Sequence, residues 1–241
     1  MMYFVIIAIG VIAGVISGVV GTGASIMLLP ALAFNFGPKA AMPIMAIAAI
    51  MGNISRVILW RKDINVKALL LYSLPGVPAA VLGANTLWIM PVRLSNLCIG
   101  LFFLLLIPLR RWAKARNWTL YGWQLALTGA IVGFLTGVVF STGPLTIPIF
   151  AGYGLVKGAL LSTEAAASFA IYLAKATTFE TLGAMPWPVF ISGLLVGSTL
   201  IAGMVIGKKF VIKMSEKTFN SLIDALLLLA GASLLYDFLS A

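Results

Sequence analysis

The sequence predicts an all-α, polytopic integral membrane protein made of two inverted repeats, each a glycine-broken helical hairpin followed by three transmembrane helices. Of its 241 residues, 62% are hydrophobic and only 9% are charged, whereas soluble domains carry about 25% charged residues. Residues 2–38, 117–156 and 181–207 contain no charge, and each stretch holds the roughly 20 apolar residues that one membrane crossing needs. The third observation is that the chain repeats itself.

Aligned with itself at an offset of 119 residues, the chain places glycines on glycines and a cation on a cation. The matched pairs are Gly14 with Gly133, Gly18 with Gly137, and Arg56 with Lys175. Thr22-Gly23 is echoed one residue out of step by Thr142-Gly143. A duplicated apolar unit, with a glycine-broken first segment and a cation in its second, is the layout of transporters whose site lies between the repeats.

Each repeat opens with an apolar segment that is too long for one straight helix across a hydrocarbon core of roughly 30 Å. These segments are residues 2–36 and 121–153. Each is interrupted near its middle, by Gly21-Thr22-Gly23 in the first and by Ser141-Thr142-Gly143-Pro144 in the second. We therefore expect two arms and a broken tip in each segment. Whether such a hairpin is re-entrant or makes two full crossings stays open at this stage.

Six further helices are predicted between charged or proline-bearing breaks. In repeat one, residues 2–109, they cover about 41–60, 67–89 and 92–109; in repeat two, residues 121–241, they cover about 159–180, 187–206 and 217–238. Residues 110–120 form a basic interfacial linker between the repeats. No separate soluble domain fits in the remainder, so we expect residues 1–241 to form a single membrane transport domain.

The distribution of lysine and arginine favours the hairpins. With Arg56 and Lys175 inside spans, 14 of the 16 cations lie in loops. Eight single crossings would place seven of them on each side, whereas two opening hairpins place 12 on one side and leave only Lys39 and Arg93 on the other. Cytoplasmic loops carry the excess of positive charge, so the hairpin topology is predicted, with both termini outside. Each half then has three full spans, and the halves are inverted.

The two broken tips form the predicted binding site, at the membrane midplane between the repeats. Its residues are Gly21, Thr22, Gly23 and Ser25 in the first tip and Ser141, Thr142 and Gly143 in the second. An arm that starts at a tip presents free N–H groups and the positive end of its dipole. Pro144 suits the first position of such an arm, and Ser141 or Thr142 suits its cap. Helix starts of this kind bind anions.

Close helix packing is the alternative explanation for the glycines at four-residue spacing before each tip. The glycines concerned are Gly14, Gly18, Gly133 and Gly137.

Polar residues in the second segment of each repeat are the remaining binding candidates. Asn53 and Arg56 fall on Tyr172 and Lys175 at the same offset, and each neutral residue lies one turn from its cation. A cation buried in the bilayer costs about 2.5–3.5 kcal/mol on insertion scales, which makes it a marker of function. Snorkelling to the interface is the alternative for both cations.

Two acids, Asp224 and Glu164, are candidates for carrying a coupling proton, because intramembrane acids mark proton relays; a structural ion pair is the alternative for each. The chain has no histidine and a single cysteine, Cys98, so we predict no metal site, no cofactor and no enzymatic activity. The formal charge of +10 lies mostly in short loops, where orientation explains it, and no nucleic-acid partner is expected. Membrane lipid and a homodimeric partner are the remaining partner expectations.

The glycine pattern of both opening segments resembles that of the sulfite exporter TauE/SafE family, also called the 4-toluene sulfonate uptake permease family. The matching residues are Gly14, Gly18, Gly21, Gly23 and Pro30, repeated as Gly133, Gly137, Gly143 and Pro148. The resemblance implies a secondary transporter in the bacterial inner membrane, working by alternating access on small sulfur-containing anions such as sulfite or organosulfonates, sulfoacetate among them. An anion channel, or a membrane subunit or scaffold of a larger complex, is the alternative.

Overall fold

The computed structural model describes residues 10–11, 28, 32, 35–115, 119–139, 142–211 and 216–240. Within these ranges the regular structure is entirely helical, with no strand. The predicted tip residues Gly21, Thr22, Gly23 and Ser25 lie outside the described residues, as does Ser141 of the second tip. The second tip is described up to Val139 and again from Thr142.

Eight α-helices lie in the described ranges, and they include all six that the sequence predicts after the opening segments. In chain order they are α1 (Pro38–Leu59), α2 (Val66–Ile89), α3 (Val92–Ala115), α4 (Gly122–Val138), α5 (Gly143–Gly152), α6 (Lys157–Thr181), α7 (Trp187–Val211) and α8 (Glu216–Ser240). A short 3₁₀ turn, Arg61–Asp63, follows α1. In the part of the chain that the structure describes, three stretches are long and apolar enough to cross a membrane, namely Lys39–Ile58, Val66–Ile89 and Val92–Leu109.

Two helices continue beyond the bounds that hydropathy predicts. α3 runs to Ala115 rather than ending at 109, so that Arg110 and Arg111 belong to its last turns and not to a separate linker. α7 runs to Val211 rather than to 206. Cations are favourable at the negative end of a helix dipole. The end of the apolar pattern is therefore not the end of the helix in either case.

The opening segment of repeat two is broken where the sequence predicts. α4 ends at Val138 and α5 begins at Gly143. With 10 residues, α5 is about 15 Å long, which is half the thickness of a hydrocarbon core. The N–H of Leu120, just before α4, donates to the carbonyl of Gly152 at the end of α5 over 2.8 Å. Both ends of the segment therefore lie side by side, and the segment is a hairpin.

Helices α1 and α6, the second segments of the two repeats, pack antiparallel. Arg56 near the end of α1 contacts Glu164 near the start of α6. At the other end of the pair, the Met42 sulfur near the start of α1 lies 3.9 Å from the Lys175 ammonium. This helix pair carries most of the charged and polar groups described below.

Helices α3 and α8, the last segments of the two repeats, form a second antiparallel pair. Arg93 at the start of α3 donates from Nε to the Phe238 carbonyl near the end of α8 over 3.2 Å. Arg111 at the end of α3 pairs with Asp224 near the start of α8. Of the remaining helices, α2 packs against both α4 and α6, and α7 packs against α1.

Glycines make the contact between α2 and α4 close. A Cβ atom built on Gly133 of α4 would stand 2.3 Å from the carbonyl oxygen of Gly76 in α2. One built on Gly137 would stand 2.4 Å from the carbonyl oxygen of Ala80. The two backbones touch without side chains between them, so the packing explanation accounts for Gly133 and Gly137.

The distribution of polarity is that of a membrane protein. Leu74 and Leu82 of α2 are 69% and 64% exposed, whereas Glu164 and Lys175 of α6 are each 1% exposed. These apolar side chains face outward, whereas these two ionisable ones lie within. Intramembrane ionisable residues face the interior of a bundle or a cavity in this way.

Candidate functional site

Glu164 is the centre of a buried polar network between three helices. Its Oε2 accepts a hydrogen bond from Nη1 of Arg56 in α1 over 2.9 Å. Its Oε1 accepts from the hydroxyl of Thr146 in α5 over 2.9 Å and from that of Ser168, one turn further along α6, over 2.8 Å. Because a buried carboxylate is costly unless it is paired and hydrogen-bonded, these three donors explain how it lies here.

Arg56 connects the carboxylate to α1. Its Nη2 donates to the Oδ1 of Asn53, one turn earlier in the same helix. Its Nε is buried and has no hydrogen-bond partner among the described residues. The side chain as a whole is 17% exposed. Arginine presents five donors in a planar fork that matches the oxygens of an anion, and this one has donors left over.

Two more buried hydroxyls near the network have no partner among the described groups. They belong to Tyr72 and Ser73 in α2, which are 0% and 8% exposed. The Tyr72 ring packs against Phe150 of α5 at a centroid distance of 4.9 Å, and Glu164 acts on Tyr72 electrostatically. A buried polar group without a partner costs about 1–3 kcal/mol, so these two hydroxyls are candidates for binding a ligand.

Lys175 occupies the opposite end of the α1–α6 pair and holds the end of α4. Its Nζ donates to the carbonyl oxygens of Thr136 and Val139 over 2.6 and 2.7 Å, and it lies 5.7 Å from the centre of the Phe179 ring. The last carbonyls of a helix lack partners and carry the negative end of its dipole. Lys175 therefore stabilises the broken end of α4, and it does not snorkel.

The described part of the second tip is tied down by hydroxyl groups. Thr142 occupies the N-cap position of α5, but its side chain does not cap the helix. Its hydroxyl instead forms a hydrogen bond with the hydroxyl of Thr136 at 2.5 Å. Gly143 begins the helix and Pro144 takes its second position, one later than predicted. The single O–H of Thr146 has two acceptors within reach, the Glu164 carboxylate and the Gly143 carbonyl, each at 2.9 Å.

The structure brings some of the predicted site residues together and separates others. Arg56 and Asn53 are joined by a side-chain hydrogen bond. Lys175 is connected to the second tip because its ammonium binds the carbonyl of Thr136, whose hydroxyl contacts that of Thr142. The two cations are far apart, because Met42, beside Lys175, precedes Arg56 by 14 residues of one helix, or about 21 Å. Tyr172 belongs to a buried cluster with Ala46, Ile47 and Ala176.

Asp224, the other candidate for a coupling proton, forms an ion pair with Arg111 at the edge of the molecule. Nε of Arg111 donates to its Oδ2 over 3.0 Å. The Arg111 side chain is 69% exposed and that of Asp224 is 13% exposed. This is the structural ion pair that the sequence leaves open as an alternative.

Two residues of the network, Thr146 and Ser168, and the neighbouring Tyr72 are missing from the sequence prediction. Ser168 carries a signal that reading the sequence could have used, since it lies four residues after Glu164 and therefore on the same helix face. Thr146 lies within a charge-free stretch near the predicted tip. Tyr72 carries no such signal, because its place depends on how α2 rotates against α6.

An all-helical membrane protein with a broken hairpin and a buried cation–carboxylate centre belongs to the class of membrane transport proteins. The family model described as sulfite exporter TauE/SafE matches residues 6–234, and the chain belongs to this family. Its members are transporters and not enzymes, so membership implies membrane transport of sulfur-containing anions such as sulfite. Comparison with curated proteins and with solved structures gives no match.

Proposed function

We propose that the protein is a secondary transporter that carries small sulfur-containing anions, sulfite or organosulfonates, across the bacterial inner membrane by alternating access. The observation that carries this proposal is the Arg56 guanidinium. It is held between α1 and α6, keeps a buried Nε–H without a partner among the described residues, and is 17% exposed. A planar fork of donors suits the oxygens of a sulfite or sulfonate group.

The inverted-repeat architecture is part of this proposal and is supported by the antiparallel pairs. α1 corresponds to α6 and α3 to α8 in the order of the two repeats, and both pairs run antiparallel. The remaining helix contacts also have counterparts in the other repeat, since the contact of α1 with α7 corresponds to that of α6 with α2. The contact of α4 with α2 has its counterpart where Gly10 of the first opening segment lies against Thr199 of α7.

Alternating access requires that one part of the molecule move against another around a fixed site. The α4–α5 hairpin is suited to move. The Thr146 hydroxyl ties α5 to Glu164, and the Lys175 ammonium ties α4 to the far end of the same helix α6. A shift of the hairpin therefore changes the hydrogen bonds at both ends of the α1–α6 pair, which lie on opposite sides of the midplane.

Anion uptake into proteoliposomes tests the function. The panel consists of sulfite, thiosulfate, sulfate, methanesulfonate and a carboxylate of similar size. We expect saturable uptake of at least one sulfur anion, and trans-stimulation when the same anion is preloaded, because a carrier binds its substrate before each crossing.

Flux that rises linearly with concentration and shows no trans-stimulation would mean a channel. An absence of flux for every anion would contradict transport by this chain and favour a subunit or scaffold.

A further inference from the structure

We propose that Glu164 is the proton-coupling residue, and that it and the transported anion compete for the Arg56 guanidinium, so that one proton and one monovalent anion bind together. This inference rests on the proposed function and deepens it. It distinguishes between the two acids of the sequence prediction, and it names the charge class of the substrate.

The two oxygens of the Glu164 carboxylate have different surroundings. Among the described residues, Oε2 accepts a hydrogen bond only from Arg56, whereas Oε1 accepts from the hydroxyls of Thr146 and Ser168. A proton arriving on Oε2 removes the negative charge that holds the guanidinium and leaves both hydroxyl bonds to Oε1 in place. The protonated side chain therefore stays where it is, and Nη1 of Arg56 becomes available.

The freed guanidinium has a further donor of its own for an anion. Its own Nε–H is buried without a partner among the described residues, and the Tyr72 hydroxyl is in the same condition. An oxyanion has more oxygen lone pairs than one carboxylate oxygen provides. It would pair with donors that the carboxylate leaves unsatisfied, which offsets the cost of desolvating them.

The charge of the centre stays constant through this exchange. Before loading, the guanidinium and the carboxylate carry +1 and −1. After loading, the guanidinium and a monovalent anion carry +1 and −1, and the proton neutralises Glu164. Because an uncompensated charge inside a protein is costly, the arrangement favours a monoanion, such as hydrogensulfite or an organosulfonate, over a dianion such as sulfate.

The surroundings contribute few other ionisable groups. The elements packed against α6 are α1, α2, α4, α5 and the 3₁₀ turn. α4 and α5 contain no ionisable side chain. The groups that face the carboxylate are Arg56 from α1 and Tyr72 from α2, with Tyr172 further along α6. The 3₁₀ turn bears three exposed charged residues, Arg61, Lys62 and Asp63.

The test uses methanesulfonate in proteoliposomes, because its charge does not change over the pH range of the assay. Two readouts are compared: counterflow at equal pH on both sides, and accumulation driven by an inside-alkaline pH gradient, with a trapped pH dye. The variants are Glu164→Gln and, as the matched control at the other candidate acid, Asp224→Asn.

We expect wild type and Asp224→Asn to take up one proton with each anion that they accumulate, independently of membrane potential. In Glu164→Gln the ratio of gradient-driven accumulation to counterflow should fall by about ten-fold or more. Proton-coupled accumulation by Glu164→Gln, or its loss in Asp224→Asn, would overturn the inference. An absence of counterflow in wild type for any sulfur anion would instead contradict the proposed function.

A second variant decides the matter if Glu164→Gln does not fold and shows no counterflow. Thr146→Val removes a hydrogen bond that favours the ionised carboxylate while retaining the ion pair. The pH midpoint of uptake should then be higher in Thr146→Val than in wild type, because the carboxylate takes up its proton more readily. An unchanged midpoint would overturn the inference.

Discussion

At the scale of single residues, two cations that the repeats place at equivalent positions have different roles. Lys175 is enclosed and satisfies the carbonyls of Thr136 and Val139. Arg56 is paired with Glu164 and keeps an unused donor. The sequence offset places both at equivalent positions and allows either anion binding or snorkelling for each. Which group a long side chain meets depends on helix rotation, and that is why the sequence left binding and snorkelling open.

Replacing Lys175 by methionine tests its role at the end of α4. Two buried carbonyls lose their donor, and each unsatisfied group costs about 1–3 kcal/mol, so we expect a clear loss of stability. The measurement is the thermal unfolding midpoint in detergent, with Lys67→Met, an exposed lysine of α2, as the control. Equal midpoints for the two variants would show that the ammonium does not hold the helix end.

At the scale of elements, the helices that follow the opening segments could be predicted because charges and prolines interrupt an otherwise apolar chain. The break in 121–153 could be predicted because glycine and proline interrupt an apolar segment that is too long for one crossing. The partners of each helix could not be predicted, because almost every face of these helices is apolar. The closure of the hairpin through Leu120 and Gly152 is a contact of backbone groups and leaves no mark in the sequence.

The close contact of α2 with α4 provides a test at this scale. A methyl group on Gly133 would meet the Gly76 carbonyl oxygen at 2.3 Å, so Gly133→Ala must separate the two backbones. Overpacking of this kind costs about 1–3 kcal/mol. Gly122→Ala is the control, since its new methyl group would meet only the end of the Leu71 side chain at 3.3 Å.

We expect Gly133→Ala to unfold at a lower temperature than Gly122→Ala in the same detergent. If the two variants unfold together, α2 and α4 are not in backbone contact.

At the scale of the whole molecule, the antiparallel packing of α1 against α6 explains why a buried ion pair can join residues that are 108 positions apart in the chain. α1 and α6 run antiparallel, so the end of one lies beside the start of the other. Arg56 of repeat one thereby meets Glu164 of repeat two. The offset of 119 residues aligned Arg56 with Lys175, its equivalent. The offset did not identify Glu164 as the partner of Arg56, because Glu164 has no acidic counterpart in repeat one.

The most direct test of the central claim, that Arg56 binds the transported anion, is methanesulfonate counterflow with a pair of variants that differ only at this residue. Removing Arg56 alone would leave Glu164 buried and unpaired, which costs about 3–5 kcal/mol. The comparison is therefore between Glu164→Gln and the double variant Arg56→Gln/Glu164→Gln, with Arg93→Gln as the control at an exposed cation.

We predict that Glu164→Gln and Arg93→Gln exchange the anion. The double variant should lose exchange by about 100-fold while its thermal unfolding midpoint shows that it is folded. Exchange by the double variant at the rate of Glu164→Gln would contradict the account and place the anion elsewhere.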